Sequence, residues 1–426
     1  MSEPAQFDIC IVGGGMVGLT LAELIAAEFP QTKLCLVEKK AYETQAGALW
    51  QPGFDSRSTA LSMGSVEIFK ALKIWADVCK HATPIHSVHV SDRGHFGTTG
   101  FSREENGGEE LGYVVENAWL GCCLINNLNQ YSNIQVSSPA AVGAVQAKRD
   151  GALLRINSSG KNTELELKAD LVIIADGADS GLRKLLAIDV EVKDYQQHAV
   201  IANIEFQQAH NCCAYERFTK NGPLALLPLG YGPEARTSAL VFTRPLARVQ
   251  ETLALNDDAF MQEVQKAFGQ RLGKFIRVGK RVSYPLSLTL AKEQVRSSFA
   301  LVGNAAHFLH PVAGQGFNLA LRDVTQLLAV LKPVYDKRSA GENVERYGDI
   351  KRLNKYLEVQ NRDQLATSFV SDSFNQIFSN EEPVMQLGRN LGLLGLELFD
   401  GLKRGVFSRM MGQSMARAKL NVLSYE

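Results

Sequence analysis

The sequence predicts an α/β protein in which a dinucleotide-binding domain carries a second, β-sheet domain and ends in helices. Three observations predict it. A G-x-G-x-x-G turn joins an N-terminal strand to a helix, and two later apolar strands also run into glycine-containing turns. Between residues 186 and 284, apolar and polar residues alternate. The 426 residues exceed one typical domain of about 100–200 residues.

The first strand is Phe7 to Val12, short and rich in branched residues. Gly13-Gly14-Gly15-Met16-Val17-Gly18 follows at once. From Leu19 to Phe29, the spacing of Leu21, Leu24, Ile25 and Phe29 predicts a helix that Pro30 stops. A second strand, Lys33 to Val37, ends in Glu38. In such a unit Gly13 permits the sharp turn, Gly15 admits a pyrophosphate to the backbone, and Gly18 lets helix and strand pack closely. The helix N-terminus offers free N–H groups to phosphates. Glu38 is placed to accept hydrogen bonds from a ribose, and its charge disfavours a 2′-phosphate. The expected nucleotide is FAD or NAD rather than NADP.

The second strand-to-glycine segment is Ala169 to Ala175, running into Asp176-Gly177-Ala178-Asp179-Ser180, with Arg183 one helical turn on. The third is Phe299 to Val302, running into Gly303-Asn304-Ala305-Ala306. His307 to Asn318, containing Pro311, Gly314, Gln315 and Gly316, leads from it into a helix through Leu331. Three nucleotide-facing loops spread over this span imply an extended cofactor held along its length.

Composition excludes several classes. Lys+Arg and Asp+Glu both number 45, so the basic excess of a nucleic-acid binder is absent. Seven cysteines are too few, and odd in number, for a secreted disulfide framework. Neither Lys nor Arg precedes Lys33, so the apolar N-terminus does not read as a signal peptide. No transmembrane helix is expected, and the expected location is cytoplasmic. There is no G-x-S-x-G elbow and no P-loop.

These motifs give a specific resemblance. The chain resembles the FAD-dependent aromatic-ring monooxygenases, and within them the hydroxylases of ubiquinone biosynthesis. The segments Gly53 to Arg57, Val88 to His95, Glu216 to Thr219, Gly222 to Ala225 and Tyr284 to Leu286 carry the narrower match. The fold class this implies is an FAD-binding Rossmann-like domain with a β-sheet substrate domain, the para-hydroxybenzoate hydroxylase fold, and a helical C-terminus.

The resemblance further implies that Gly13, Gly15, Gly18 and Glu38 bind the ADP half of FAD. Arg57 takes the place of the family arginine near flavin and pyrophosphate, a role suited to its forked donors. Asp176 and Gly177 match an Asp-Gly motif associated with FAD and the passing pyridine nucleotide. Gly303 and Asn304 occupy a Gly-Asp motif, and Asn304 departs from it by losing the charge. Pro311, Gly314, Gln315, Gly316 and Asn318 match the loop against the isoalloxazine ring.

The reaction implied is hydroxylation of 2-polyprenyl-6-methoxyphenol with O2 to the 1,4-benzoquinol. NAD(P)H or a redox partner serves as transient electron donor, because the chain holds only one full dinucleotide fingerprint. No residue stands out as the catalytic base. The alternatives are a related hydroxylase acting at another ring position or on another phenol, and a non-catalytic flavoprotein scaffold of a biosynthetic complex. Other ubiquinone-biosynthesis proteins are candidate partners.

His307 and His310 sit three apart, but lack further ligands at metal-binding spacing, so no metal is expected. His86 and His89 are expected on opposite faces of a strand. The adjacent pairs Cys122-Cys123 and Cys212-Cys213 read as ordinary thiols.

The expected layout assigns 1–185 to the first part of the FAD-binding domain, with substrate-domain strands near 85–112. Residues 186–284 form an antiparallel substrate sheet with one helix near Asp257 to Phe268. The FAD-binding domain resumes over 285–340, and 341–426 form a C-terminal helical region. Within 401–420, Leu402, Val406, Met410 and Met411 would line one helix stripe flanked by cations. Packing on the protein's own core is the first reading of that stripe. Peripheral contact with an inner membrane or a partner subunit is the second.

Overall fold

The computed structural model describes residues 3–42, 57–93, 98–158, 164–230, 232, 234–308, 315–342 and 345–379. The N-terminal strand, Ala5–Val12, lies inside a sheet that has eight strands among the described residues. Its neighbours Glu164–Ile174 and Leu34–Val37 run parallel to it. Phe299–Leu301 and Ile134–Ser137 extend the parallel array on either side. Alternation along the strands explains why these segments are apolar throughout. Ile9, Ile11, Leu171 and Ile173 pack against helices Met16–Glu28, Asn117–Leu128 and Gln315–Ser339. Cys10, Val12, Val172 and Ile174 face the hairpin Ala140–Lys148/Gly151–Ser158, which the sequence reading did not anticipate. A sheet covered on both faces has no polar side to show.

The second sheet differs from the expectation in two respects. It is mixed rather than antiparallel: Cys213–Thr219 pairs parallel with Ser87–Asp92, from the chain's first quarter. It also takes in the whole of Val282–Ala291, which pairs along Val190–Phe206, so a boundary at 284/285 falls inside a strand. Both departures have one cause, because strand pairing is decided by partners distant in sequence, which local alternation does not specify. Beside the expected helix Asp257–Phe268 stands a second one, Leu246–Ala254. A small sheet of Ser58–Ser62, Gly112–Glu116 and Ala82–Ile85 shares core residues with each of the larger ones.

All seven cysteines are free thiols. Among the described residues past 349, the chain forms one helix, Ile350–Ser379. The stripe expected over 401–420 lies outside the described residues, as do Gly53 to Ser56, Gly94, His95, His310, Pro311 and Gly314. Among the described residues, no helix is long and apolar enough to cross a membrane.

Candidate active site

The three glycine-containing loops leave the C-terminal ends of three adjacent parallel strands, where ligands bind in open α/β sheets. Gly13 has φ +108°, and a Cβ there would run into the Ala175 carbonyl of the second loop. Its N–H donates to the Val37 carbonyl oxygen at 2.8 Å. A Cβ on Gly18 would collide with the Gly13 carbonyl, so helix Met16–Glu28 can approach its strand only through glycine. Gly15 differs: a Cβ there would meet nothing within 4 Å. Its open side is the backbone surface a phosphate can approach.

Glu38 reaches back to this turn. Its Oε2 accepts the Gly14 N–H at 2.6 Å and its Oε1 the Lys40 N–H at 2.8 Å. The carboxylate thus braces the loop. Tyr42, which sequence reasoning missed, donates its hydroxyl to the Gly14 carbonyl oxygen at 3.2 Å.

In the second loop, Asp176 Oδ2 accepts the Leu182 N–H at 3.1 Å, while Oδ1 is buried without a partner among the described residues. A buried carboxylate oxygen left unpaired beside a nucleotide loop awaits a donor. Gly177 follows with φ +91° and open space around it. Arg183 joins this loop to the third: Nη2 donates to the Ala178 carbonyl at 2.7 Å and Nη1 to that of Ala305 at 2.8 Å.

Gly303, with φ +58°, sits so near the first loop that a Cβ would touch Val17 at 3.3 Å. Asn304 is exposed beside it. The Gly303 N–H donates at 3.1 Å to Asp323 Oδ2, the same oxygen that meets His307 Nε2. His307 and Asp323 are both fully buried. Asp323 was not singled out from the sequence. Its spacing from His307, together on a loop and the following helix, was the available signal.

Gln315 and Gly316 open helix Gln315–Ser339 and are half-buried. Asn318 is buried, and much of its amide is engaged by protein. Its Oδ1 accepts from the Ser62 N–H at 2.8 Å and the Ser65 hydroxyl at 2.7 Å, and its Nδ2 donates to the Ala60 carbonyl at 2.9 Å. These bonds make Asn318 a clamp on the strand that follows Arg57.

Arg57, just before strand Ser58–Ser62 of the small sheet, reaches the second large sheet. Its Nη1 donates to the Tyr284 hydroxyl at 2.9 Å, and its guanidinium lies 5.6 Å from the Tyr284 ring centroid. Tyr284 projects from the second sheet, on the face that alternation and register assign also to Ala199, Ile201, Val241, Ala225 and Glu216. His89 occupies the opposite face with Tyr215, and His86 lies near Arg103 and Glu110 instead.

The comparisons with known proteins agree with this geometry. A family model described as FAD binding domain matches residues 6–355. Ubiquinone hydroxylase UbiL of Rhodospirillum rubrum is 32% identical over 95% of this chain and 89% of its own length. The chain belongs to the FAD-dependent monooxygenases of ubiquinone biosynthesis. This monooxygenase is likewise 32% identical to 3-demethoxyubiquinol 3-hydroxylase of Escherichia coli, over 95% of this chain and 98% of that one. Its fold is that of p-nitrophenol 4-monooxygenase PnpA from Pseudomonas putida, with a TM-score of 0.76 at 15% identity, covering 97% of this chain and 100% of that one. Its cofactor is FAD, and the residues present fit that group. The space beside Gly15 is open, Asp176 Oδ1 lacks a donor, and three loops meet across the strand ends.

Proposed function

We propose that this monooxygenase hydroxylates the ring of 2-polyprenyl-6-methoxyphenol to the corresponding 1,4-benzoquinol, using O2. The observation that carries the reading is the Arg57–Tyr284 hydrogen bond, which joins the nucleotide side to a largely apolar sheet face. An apolar wall suits a ring carrying a methoxy group and a hydrocarbon tail. In this reading Gly13, Gly15, Gly18 and Glu38 hold the ADP half of FAD, and Asp176, Gly177, Gly303 and Asn304 hold its middle. Arg57 offers a cation at the pyrophosphate or flavin edge. Residues 311–318 border the ring, with Asn318 fixing the strand that carries Arg57.

FAD, when bound, supplies the two-electron chemistry that activates O2. The protein's own residues orient the phenol, exclude water and handle its proton. With only one dinucleotide fingerprint present, the electrons come from a transiently bound NAD(P)H or from a redox partner.

A deletion strain grown in air and profiled by mass spectrometry is expected to accumulate 2-polyprenyl-6-methoxyphenol; normal ubiquinone content would rule the proposal out. The 32% identity to a relative named for hydroxylation at position 3 favours a second reading, in which another ring position is the target. Accumulation of a 3-demethoxy quinol instead of the phenol would select it.

A further inference from the structure

We propose that Glu216 accepts the phenolic proton of the substrate, making the ring electron-rich for hydroxylation. The inference rests on the hydroxylase reading above and assigns it a residue. Glu216 lies on strand Cys213–Thr219, where Tyr215 faces the core under helix Asp257–Phe268, its ring centroid 5.5 Å from that of Phe268. Alternation therefore turns Glu216 to the opposite face with Ala214 and Phe218, which pack in a cluster with Val90 and Val114. Its register partners on either side are Val90 and Ala225, neither of which can hydrogen-bond through its side chain. Glu216 makes no hydrogen bond or ion pair with any described residue.

Glu216 is thus a carboxylate on an apolar wall, with no partner among the described residues and part of its surface still open. Asp92 shares this face one register step away, and Glu116 lies on the strand that brings Val114 against it. Neither shifts Glu216; burial alone raises its pKa to about 8. An ordinary glutamate is a poor match for a phenol of pKa about 10, whereas a base near 8 narrows the gap to about two units. Four strand spacings, about 19 Å, separate Glu216 from Tyr284 on the same face. The two residues bracket the wall rather than share one contact.

The step balances in protons alone. The phenol O–H bond breaks and a Glu216 O–H bond forms. After oxygen transfer, the hydroxylated ring carbon releases its own proton to solvent, and Glu216 returns the first one to the phenolate oxygen.

The test uses full-length, FAD-loaded protein and 2-methoxyphenol bearing one short prenyl chain. Wild-type kcat/KM is expected to rise with pH to a plateau above about 8. Glu216→Gln should retain full FAD content, lose that limb and fall by about 10²-fold. Glu216→Asp should keep the limb at a reduced rate. Independently of turnover, the phenolate absorbance of the bound probe should titrate at higher pH in wild type than in Glu216→Gln, because the ionised carboxylate opposes a second negative charge. An unchanged pH limb and probe titration in Glu216→Gln, with normal wild-type turnover, overturns the assignment of Glu216 alone. A flat profile in Glu216→Asp also counts against it. A wild-type protein that neither binds nor hydroxylates the probe overturns the hydroxylase reading and this inference together.

Discussion

Asp323 Oδ2 serves two donors at once, the Gly303 N–H at 3.1 Å and His307 Nε2. One buried carboxylate on a long helix thereby fixes both ends of the turn that presents Asn304. Asp323→Asn keeps an oxygen able to accept both bonds, but it removes the charge and sets an amide NH2 where Oδ1 is buried without a partner among the described residues. The expected cost is about 2–3 kcal/mol, seen as a lower unfolding midpoint and reduced FAD retention on gel filtration. His307→Gln should lower stability by less, because the Gly303 bond survives.

The glycines of the first loop should separate in behaviour. Gly18→Ala forces a methyl into the Gly13 carbonyl and should lower both thermal stability and FAD content. Gly15→Ala points its methyl into open space. That variant should melt with wild type in the absence of FAD and bind FAD at least tenfold more weakly by flavin fluorescence. Equal effects of the two substitutions would contradict the assignment of Gly15 to the phosphate-facing surface.

Tyr284→Phe removes the hydroxyl that accepts from Arg57 and little else. A single hydrogen bond of this kind is worth about 0.5–1.5 kcal/mol. FAD affinity or substrate KM should therefore weaken by about three- to tenfold, with the melting temperature unchanged. Arg57→Lys should resemble it, since an ammonium lacks the fork.

Glu23 supplies a pH test of the fold. It is fully buried on helix Met16–Glu28 and accepts from the Asn127 amide at 2.6 Å. Burial raises its pKa from the ordinary 4.5 to about 8, with the Asn127 hydrogen bond opposing the rise. Between these values the folded protein holds a proton that the unfolded chain has released. Stability from this group is thus complete below about pH 4.5 and is lost as pH rises through about 8. Glu23→Gln does not titrate and should overtake wild type on going from pH 5 to pH 9, by up to about 4 kcal/mol. Denaturant midpoints at the two pH values read the difference.

Much of the nucleotide side was legible because its signals are local. Gly13, Gly15 and Gly18 stand within six residues of chain, and the physics that selects each acts over that distance. The roles that escaped notice depend on pairing across long separations. Tyr284 gains meaning only when it meets Arg57, and Asp323 only when its helix folds over His307 and Gly303. Glu216 was visible as part of a motif, but the face it takes follows from register with Val90 and Ala225. His307 drew attention as a metal candidate, whereas its partner is the carboxylate sixteen residues on. The parallel pairing of Cys213–Thr219 with Ser87–Asp92 has no local signature at all.

The Tyr347 hydroxyl lies 3.1 Å from that of Thr32, its backbone N–H donates to Asp170 at 2.9 Å, and Arg338 reaches Asp8 at 3.2 Å and Asp170 at 2.7 Å. The first strand of the protein is therefore finished by nearly the last residues to join its layer. On a ribosome adding about 5–20 residues per second, the 315 positions between Thr32 and Tyr347 take roughly 15–60 s to synthesise. Throughout that interval Ile9, Leu24 and Phe29 await the apolar surface of a helix not yet made. The nascent chain carries an unsealed hydrophobic face for longer than most domains need to fold. Truncations upstream of residue 350 should leave that face open for good, and such fragments are expected in the insoluble fraction.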